Sequence, residues 1–179
     1  MATQTTLVSL ADYEALPRDL RCELVEGELR ELTFPRWDHS QIQFNLLLSL
    51  GQYLKTNPIG RAGAEYGFIL GRDPDTLRSP DVYFIRNERL GLIEGHTWME
   101  GAPDLAIEII SPSNRRREIH AKVSQYIQAG AQLVWVIDPD TRQVYVHRAD
   151  GTTQGETDSL EAPDLLPELK INVLEIFDL

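Results

Sequence analysis

One charged residue inside an apolar segment constrains the fold of this 179-residue chain more than any other feature. Glu108 lies within residues 105–110 (LAIEII), a run that is otherwise apolar and rich in β-branched side chains. Such a run predicts a β-strand that is covered on both faces. Period-2 alternation puts Glu108 on the face opposite Leu105, Ile107 and Ile109. An unpaired buried carboxylate costs several kcal/mol, so we expect a cation, a metal ion or a proton beside it.

A second acidic residue, Asp81, opens the preceding strand-like run, residues 79–85 (SPDVYFI). If the two predicted strands pair antiparallel, the start of one lies beside the end of the other, and Asp81 becomes a neighbour of Glu108. Taken alone, an aspartate after a proline is commonly a turn or capping residue. Taken alone, Glu108 could also be a strand-end charge, if its strand is shorter than the pattern indicates.

The third charge is Lys122, on a predicted helix over residues 115–129 for which Ser113 or Asn114 is a suitable N-cap. A right-handed crossover from the Glu108 strand to the next apolar run, residues 133–139, packs this helix back across the sheet. Lys122 is then about 10 Å along the helix, and its long side chain can bring the ammonium over Glu108. The ordinary alternative is a surface lysine that extends into solvent.

Two carboxylates and a lysine that converge at the end of a sheet are what metal-dependent phosphodiester hydrolysis requires. Two carboxylates can hold Mg²⁺ or Mn²⁺ through oxygen, and the cation polarises a phosphoryl group and activates bound water. We expect Asp81 and Glu108 to be the metal ligands, with the backbone carbonyl of Ile109 as an additional one. Lys122 would orient or deprotonate the attacking water, or stabilise the developing charge.

The order of these motifs resembles the Uma2 family of restriction-endonuclease-like proteins, in the PD-(D/E)xK nuclease superfamily. The resemblance rests on Pro80-Asp81, on Glu108 in an apolar strand followed by SPS at 111–113, on Lys122-x-x-x-Tyr126, and on VWVIDP at 134–139. It extends from ELVEGE at 23–28 to the closing LPEL at 166–169. It implies a Mg²⁺- or Mn²⁺-dependent endonuclease acting on nucleic acid, with DNA as the expected substrate.

The resemblance also bears on individual residues. The superfamily pattern puts its lysine at position 110, which is Ile110 here, whereas Uma2-like proteins carry it on the following helix, matching Lys122. Glu26 is implied as an additional active-site carboxylate, although a solvated glutamate at a hairpin tip is the ordinary alternative. Glu65 and His39 are further candidates of the same standing. Tyr126 suits core packing, and its hydroxyl could support the site.

The fold class expected is α/β, a restriction-endonuclease-like mixed sheet flanked by helices, with the core order helix, strand, strand, strand, helix, strand. We expect one domain over residues 1–179, with residues 1–8 loose and residues 9–34 forming an N-terminal helix and hairpin extension. The other predicted elements are a helix over 37–55, a strand over 62–70, a loop over 71–77, a linker over 86–102, an edge strand over 143–148, an exposed polar segment over 152–162 and an apolar closing segment over 165–177 that includes Leu174.

Composition limits the remaining possibilities. The single cysteine, Cys22, excludes an internal disulfide and a multi-cysteine metal site. The chain starts without a signal-peptide pattern and has no membrane-spanning run, so we expect a cytoplasmic protein. The net charge of −11 opposes non-specific duplex binding. It favours the alternative of a non-catalytic nucleic-acid- or protein-binding member of the same fold.

Nucleic-acid binding by an acidic chain would require a local basic surface. The candidates are the arginines at the predicted start of the Lys122 helix and those around the Asp81 strand, namely Arg115, Arg116, Arg117, Arg72, Arg78, Arg86 and Arg89. A homodimer is also plausible, because cutting both strands of a duplex usually requires two sites.

Overall fold

The computed structural model describes residues 7–17, 20–93, 95–111 and 116–178. The helices in chain order are α1 (Leu10–Glu14), α2 (Trp37–Thr56), α3 (Arg116–Gln128) and α4 (Val173–Ile176), with a 3-10 helix over Asn87–Leu92. The strands are β1 (Cys22–Val25), β2 (Glu28–Glu31), β3 (Gly60–Gly63), β4 (Phe68–Gly71), β5 (Thr76–Arg78), β6 (Val82–Arg86), β7 (Met99–Glu100), β8 (Leu105–Ile109), β9 (Leu133–Asp138), β10 (Gln143–Arg148), β11 (Thr153–Glu156), β12 (Ser159–Ala162) and β13 (Leu166–Asn172).

A six-stranded mixed sheet forms the centre of the fold, in the order β11-β10-β9-β8-β6-β3. Strands β8 and β9 are parallel and are connected through α3, whereas the neighbouring pairs β6–β8 and β9–β10 are antiparallel. A parallel pair requires a crossover connection, which the helix supplies. Within this sheet and its helices the chain order is α2, β3, β6, β8, α3, β9, so the predicted fold class and core order are confirmed.

The two long helices cover opposite faces of the central sheet. On α2, Ile42, Leu46 and Leu50 recur every four residues and are fully buried against side chains such as Ile107 and Trp135. On the other face, α3 packs against the sheet through Ile119, Val123 and Tyr126. The sheet side chains in this cluster are Ala106 of β8 and Val134 and Val136 of β9. All five residues of β8 are buried, as the apolar run predicts, so Glu108 is enclosed between the sheet and α3.

A smaller sheet, in the order β2-β1-β5-β4-β7, carries the N-terminal hairpin. Its turn is Glu26-Gly27, with φ angles of 50° and 76°, the left-handed pair that a two-residue type I′ hairpin needs. Strand β1 pairs antiparallel with β5 through Leu24 and Leu77. One step along this register, Glu23 lies opposite Arg78, so the hairpin brings a carboxylate to an arginine 55 positions away.

Three predictions about whole segments are wrong. Residues 62–70 are not one strand, because Glu65 has a left-handed φ of 53° and the chain divides into β3 and β4 in different sheets. The predicted loop over 71–77 contains the start of β5, which pairs with β4. The segment 152–162 is not uniformly exposed, since β12 pairs with β13 and buries Leu160 and Ala162 in the core under α2.

Among the remaining predictions, the N-terminal helix is present, the placement of Leu174 in the core is wrong, and others lie outside the described residues. The predicted N-terminal helix is present as α1, and it begins with a reciprocal cap in which Asp12 N–H donates to Ser9 Oγ at 3.2 Å and Ser9 N–H donates to Asp12 at 3.0 Å. Leu174 is exposed rather than part of the closing core. The N-cap residues Ser113 and Asn114, and residues 1–6 of the predicted loose start, are outside the described ranges. No helix in those ranges is both long and apolar enough to cross a bilayer.

Candidate active site

Asp81 lies immediately before β6, and its carboxylate is held from two directions. The pairing of Val82 with Ile107 places Asp81 opposite Glu108 one step along the register, on the same face of the sheet. The Oδ2 atom of Asp81 accepts a hydrogen bond of 2.6 Å from the backbone N–H of Ile109. Its Oδ1 atom is 3.1 Å from Nε2 of His39, in the first turn of α2. The antiparallel pairing therefore makes the two acids neighbours.

Glu108 is almost fully buried, and each of its carboxylate oxygens has a partner. Its Oε2 accepts a hydrogen bond of 2.9 Å from the ammonium of Lys122, and its Oε1 accepts one of 2.8 Å from the hydroxyl of Tyr126. Burial raises the pKa of Glu108 to about 7, against the lowering effect of Lys122, and the negative charges of Asp81 and Glu23 add to the rise. A second cation beside the two acids would relieve this repulsion.

Lys122 reaches Glu108 from α3, so the expected geometry is present. Its side chain is only 10% exposed. Although burial opposes the charged form, the carboxylates of Glu108 and Glu23 raise the pKa of Lys122 above its ordinary value. Lys122 is therefore a fixed ammonium at neutral pH. Position 110 is occupied by Ile110, which packs against the apolar side chains under α3.

Glu23 is the functional candidate that sequence reasoning missed. Its side chain is 3% exposed, and its Oε2 accepts a hydrogen bond of 2.7 Å from Arg78, while its Oε1 lies 3.5 Å from Nζ of Lys122. Burial alone would raise the pKa of Glu23, but the charges of Lys122 and Arg78 lower it below its ordinary value. The available signal was its place in the strand: Glu23 lies between Cys22 and Leu24, both buried.

Glu26 does not join this group. It occupies the exposed hairpin turn, and it is absent from the described residues that line the cavity over Asp81 and Glu108. Of the glutamates in the ELVEGE segment it is Glu23, three positions earlier in β1, that lines the cavity, whereas an active-site role for Glu26 stays a prediction that this geometry does not support. Glu65 does line the cavity but is 55% exposed, with Arg21 at 4.0 Å.

His39, a further candidate, lies beside Asp81 and lines the cavity. Its side chain is 12% exposed, and its hydrogen bond to Asp81 raises its pKa although burial acts in the opposite direction. Its Nδ1 is buried without a hydrogen-bond partner among the described residues. Ile109 contributes its N–H to Asp81, and the ligand role of its carbonyl remains a prediction.

The arginines expected to form a basic surface around Asp81 form structural contacts instead. Arg78 is buried against Glu23, and Arg89 pairs with Asp104 at 3.2 Å. Arg72 pairs with Glu100 and Asp75, and Arg86 donates to the Asp164 carbonyl at 3.0 Å. Three of the acids involved, Glu23, Glu100 and Asp104, lie 15 or more positions from their arginines, so the local sequence did not indicate these pairs. Arg115 and the side chain of Arg116 lie outside the described residues, and Arg117 is exposed on α3.

A cavity of about 400 Å³ connects these groups to the surface. Its lining includes Glu23, His39, Asp81, Glu108 and Lys122. Its volume lies within the usual range for small-molecule sites. Phe34, which is 83% exposed, also lines this cavity and a neighbouring one of about 200 Å³. The arrangement can present a carboxylate pair and a fixed ammonium to a ligand that enters the cavity.

Comparison with known proteins identifies the family. A solved structure described as "a putative nuclease belonging to DUF820", from Anabaena variabilis ATCC 29413, is 26% identical and superposes with a TM-score of 0.84. The match covers 95% of this chain and 97% of that one, so the fold is restriction-endonuclease-like. No curated protein matches the chain. The model of the Uma2 family, described as "Putative restriction endonuclease", matches residues 10–174, and this chain therefore belongs to the Uma2 family.

Proposed function

We propose that this protein is a metal-dependent endonuclease that hydrolyses phosphodiester bonds of nucleic acid, with DNA as the expected substrate. The observation that carries the proposal is the convergence of Asp81, Glu108 and Lys122 on one cavity, with Lys122 at 2.9 Å from Glu108. The family and the matching solved structure support the same class of activity.

The oxygen ligands at this site suit a hard divalent cation. Among the described residues no group of three or more His, Cys, Asp or Glu side chains is arranged to hold a metal ion. Mg²⁺, however, is commonly bound through one or two carboxylates and keeps several water ligands. Asp81 and Glu108 are two such carboxylates, and each oxygen that already accepts one hydrogen bond retains further acceptor capacity. The residues therefore fit Mg²⁺ or Mn²⁺.

In this proposal Asp81 and Glu108 would hold the metal, with the carbonyl of Ile109 as an additional ligand. When bound, the cation would polarise the phosphoryl group and lower the pKa of water. The ammonium of Lys122 donates hydrogen bonds to the attacking water or to a phosphoryl oxygen. It stabilises charge rather than acting as a base, because its pKa is raised. His39 and the Ile109 N–H fix the orientation of the Asp81 carboxylate.

The test is nicking of supercoiled plasmid DNA in Mg²⁺ or Mn²⁺, with chelator as the metal-free reference. We expect Asp81→Ala and Lys122→Ala to lower the rate by about 10²-fold or more, the loss typical for a group that stabilises the transition state. Lys170→Ala is the matched control, because this lysine is 70% exposed and lies outside the cavity lining. Equal rates in wild type and all three variants would reject the assignment.

The alternative function is nucleic-acid or protein binding without cleavage, and two observations favour it. The net charge is −11, and arginines near the cavity are paired with acids, including Arg21 with Glu65 and Arg36 with Asp38. Such pairs leave little positive charge to neutralise phosphates. Calorimetry with Mn²⁺ separates the two functions, since a non-catalytic relative need not bind metal at Asp81 and Glu108.

A further inference from the structure

A carboxylate from the N-terminal hairpin reaches the ammonium of the candidate active site. Glu23 extends from β1, and its Oε1 accepts a hydrogen bond of 3.1 Å from the Ser79 N–H while lying 3.5 Å from Nζ of Lys122. Its Oε2 accepts the 2.7 Å hydrogen bond from Arg78. Lys122 is therefore bracketed by two buried carboxylates, Glu23 on one side and Glu108 on the other.

The charges of this cluster balance. Two carboxylates, Glu23 and Glu108, face two cations, Lys122 and Arg78, and all four side chains are at most 10% exposed. Arg78 also donates through Nε and one Nη to the side-chain oxygen of Gln125, at 2.9 and 2.8 Å. Gln125 is on α3, one turn from Lys122, so the pair of Glu23 and Arg78 connects the hairpin to the helix that carries the ammonium.

The contact with Glu23 limits the directions in which the Lys122 ammonium can donate hydrogen bonds. An ammonium has three N–H donors. Among the described residues two acceptors, Glu108 and Glu23, engage the ammonium, and Lys122 lines the cavity. Fixing two donors leaves one for a ligand, in a direction set by both carboxylates. Without Glu23 the ammonium would keep one anchor and could rotate about it.

We infer that Glu23 is a positioning residue, which, held by Arg78, fixes the ammonium of Lys122 over the Asp81 and Glu108 pair. The role of Lys122 in cleavage rests on the proposed function, whereas the fixing of its ammonium does not. In this arrangement the hairpin completes the active site.

The sequence offers a readout that does not depend on cleavage. The chain has three lysines, Lys55, Lys122 and Lys170, so lysine labelled with ¹³C and ¹⁵N in its side chain gives three sets of signals. Lys55 and Lys170 are exposed and serve as internal references. In the metal-free full-length protein we expect Lys122 alone to show two inequivalent Hε protons and resistance to amine acylation.

The decisive variant is Glu23→Gln, with Glu26→Gln as the control on the same hairpin. We expect Glu23→Gln to collapse the Hε inequivalence of Lys122, to speed its acylation at least tenfold, and to lower kcat tenfold or more with KM changed less than threefold. Glu26→Gln should change none of these quantities, because that side chain is exposed outside the cavity lining.

A double variant covers the case in which Glu23→Gln alone fails to fold. Glu23→Gln with Arg78→Met removes both charges of the pair and avoids an unpaired buried arginine. We expect it to fold and still to show a mobile, reactive Lys122. If Glu23 had only a structural role, restored folding in the double variant would also restore the Lys122 signals and kcat.

The outcomes separate this inference from the proposed function. Unchanged Lys122 signals and acylation in both Glu23 variants would overturn the inference, whatever the nuclease result. Altered signals in a protein that nicks no DNA would support the positioning of Lys122 and count against the nuclease. Altered signals with undiminished kcat in an active enzyme would also overturn the catalytic importance of the positioning.

Discussion

Replacing Lys122 by methionine tests the buried charge cluster quantitatively. The change removes a cation from between Glu108, whose side chain is 5% exposed, and Glu23, at 3%. Glu23 keeps Arg78, but Glu108 keeps only the hydroxyl of Tyr126. Removing one partner of a buried ion pair typically costs about 3–5 kcal/mol, because an uncompensated charge stays buried. We therefore expect Lys122→Met to lower the free energy of unfolding by about 3–5 kcal/mol at pH 8.

The pH dependence identifies the cause of the loss. Because the charge of Lys122 lowers the pKa of Glu108, its removal lets that pKa rise beyond about 7. At pH 5.5 Glu108 then takes up a proton, and the cost of the substitution should shrink. Adding Glu108→Gln to Lys122→Met removes the unpaired charge and should restore most of the stability at pH 8.

The assay is urea unfolding followed by far-ultraviolet circular dichroism at pH 5.5 and pH 8. Lys170→Met is the control, because Lys170 pairs with Glu161 at 3.3 Å while 70% exposed, and exposed pairs contribute at most about 1 kcal/mol. A Lys122→Met cost no larger than that of Lys170→Met would refute the reasoning. So would a large cost that is the same at both pH values.

Three further predictions concern the titration of the site and the backbone. Burial raises the pKa of Glu108 from its ordinary 4.5 to about 7, so its contribution to stability is fully present below pH 4.5 and is lost as pH rises through 7. The stability of wild type relative to Glu108→Gln should therefore fall by about 3 kcal/mol between pH 4.5 and pH 8 in urea unfolding, and a flat difference would contradict the assignment. Since the proton on Glu108 competes with metal, Mn²⁺ affinity by calorimetry should fall up to about tenfold per pH unit below pH 7, and an affinity independent of pH would exclude Glu108 as a ligand. Gly27 has a φ of +76°, and an added Cβ would lie 2.8 Å from Leu7, so Gly27→Ala should lower the free energy of unfolding by about 1–2 kcal/mol. Gly51 in α2 has free space around it, so Gly51→Ala should raise the free energy of unfolding by about 0.5–1 kcal/mol. Thermal unfolding in which the two substitutions shift the melting temperature in the same direction would contradict this prediction.

Local patterns were sufficient to predict the central part of the site. Glu108 was found because it is the one charge in an apolar strand, and its position opposite Asp81 follows from antiparallel pairing of consecutive strands of the central sheet. The right-handed crossover from the Glu108 strand to the next strand placed the helix that carries Lys122 across the face that Glu108 occupies. These inferences need only strand and helix periodicity and the handedness of a crossover.

The parts that sequence reasoning missed depend on contacts between distant segments. Glu23 meets Arg78 because β1 pairs with β5, and nothing local in either strand indicates that register. Without knowledge of the β1–β5 register, nothing distinguishes Glu23 in the strand from Glu26 in the turn as a candidate, and Arg78 looks like a surface arginine. The division of residues 62–70 was missed for a similar reason, since Glu65 is left-handed and its N–H donates to the carbonyl of Pro80, 15 positions away, at 3.2 Å.

The central claim is that Asp81 and Glu108 hold one divalent cation beside the ammonium of Lys122. The most direct measurement is an anomalous difference map from crystals of the full-length protein soaked in Mn²⁺, recorded for wild type and for Asp81→Asn. The account predicts a strong peak in contact with both carboxylates of the wild type, and a weak or absent peak in the variant. A well-phased map with no peak at these two residues, or with Mn²⁺ bound only elsewhere, would contradict it.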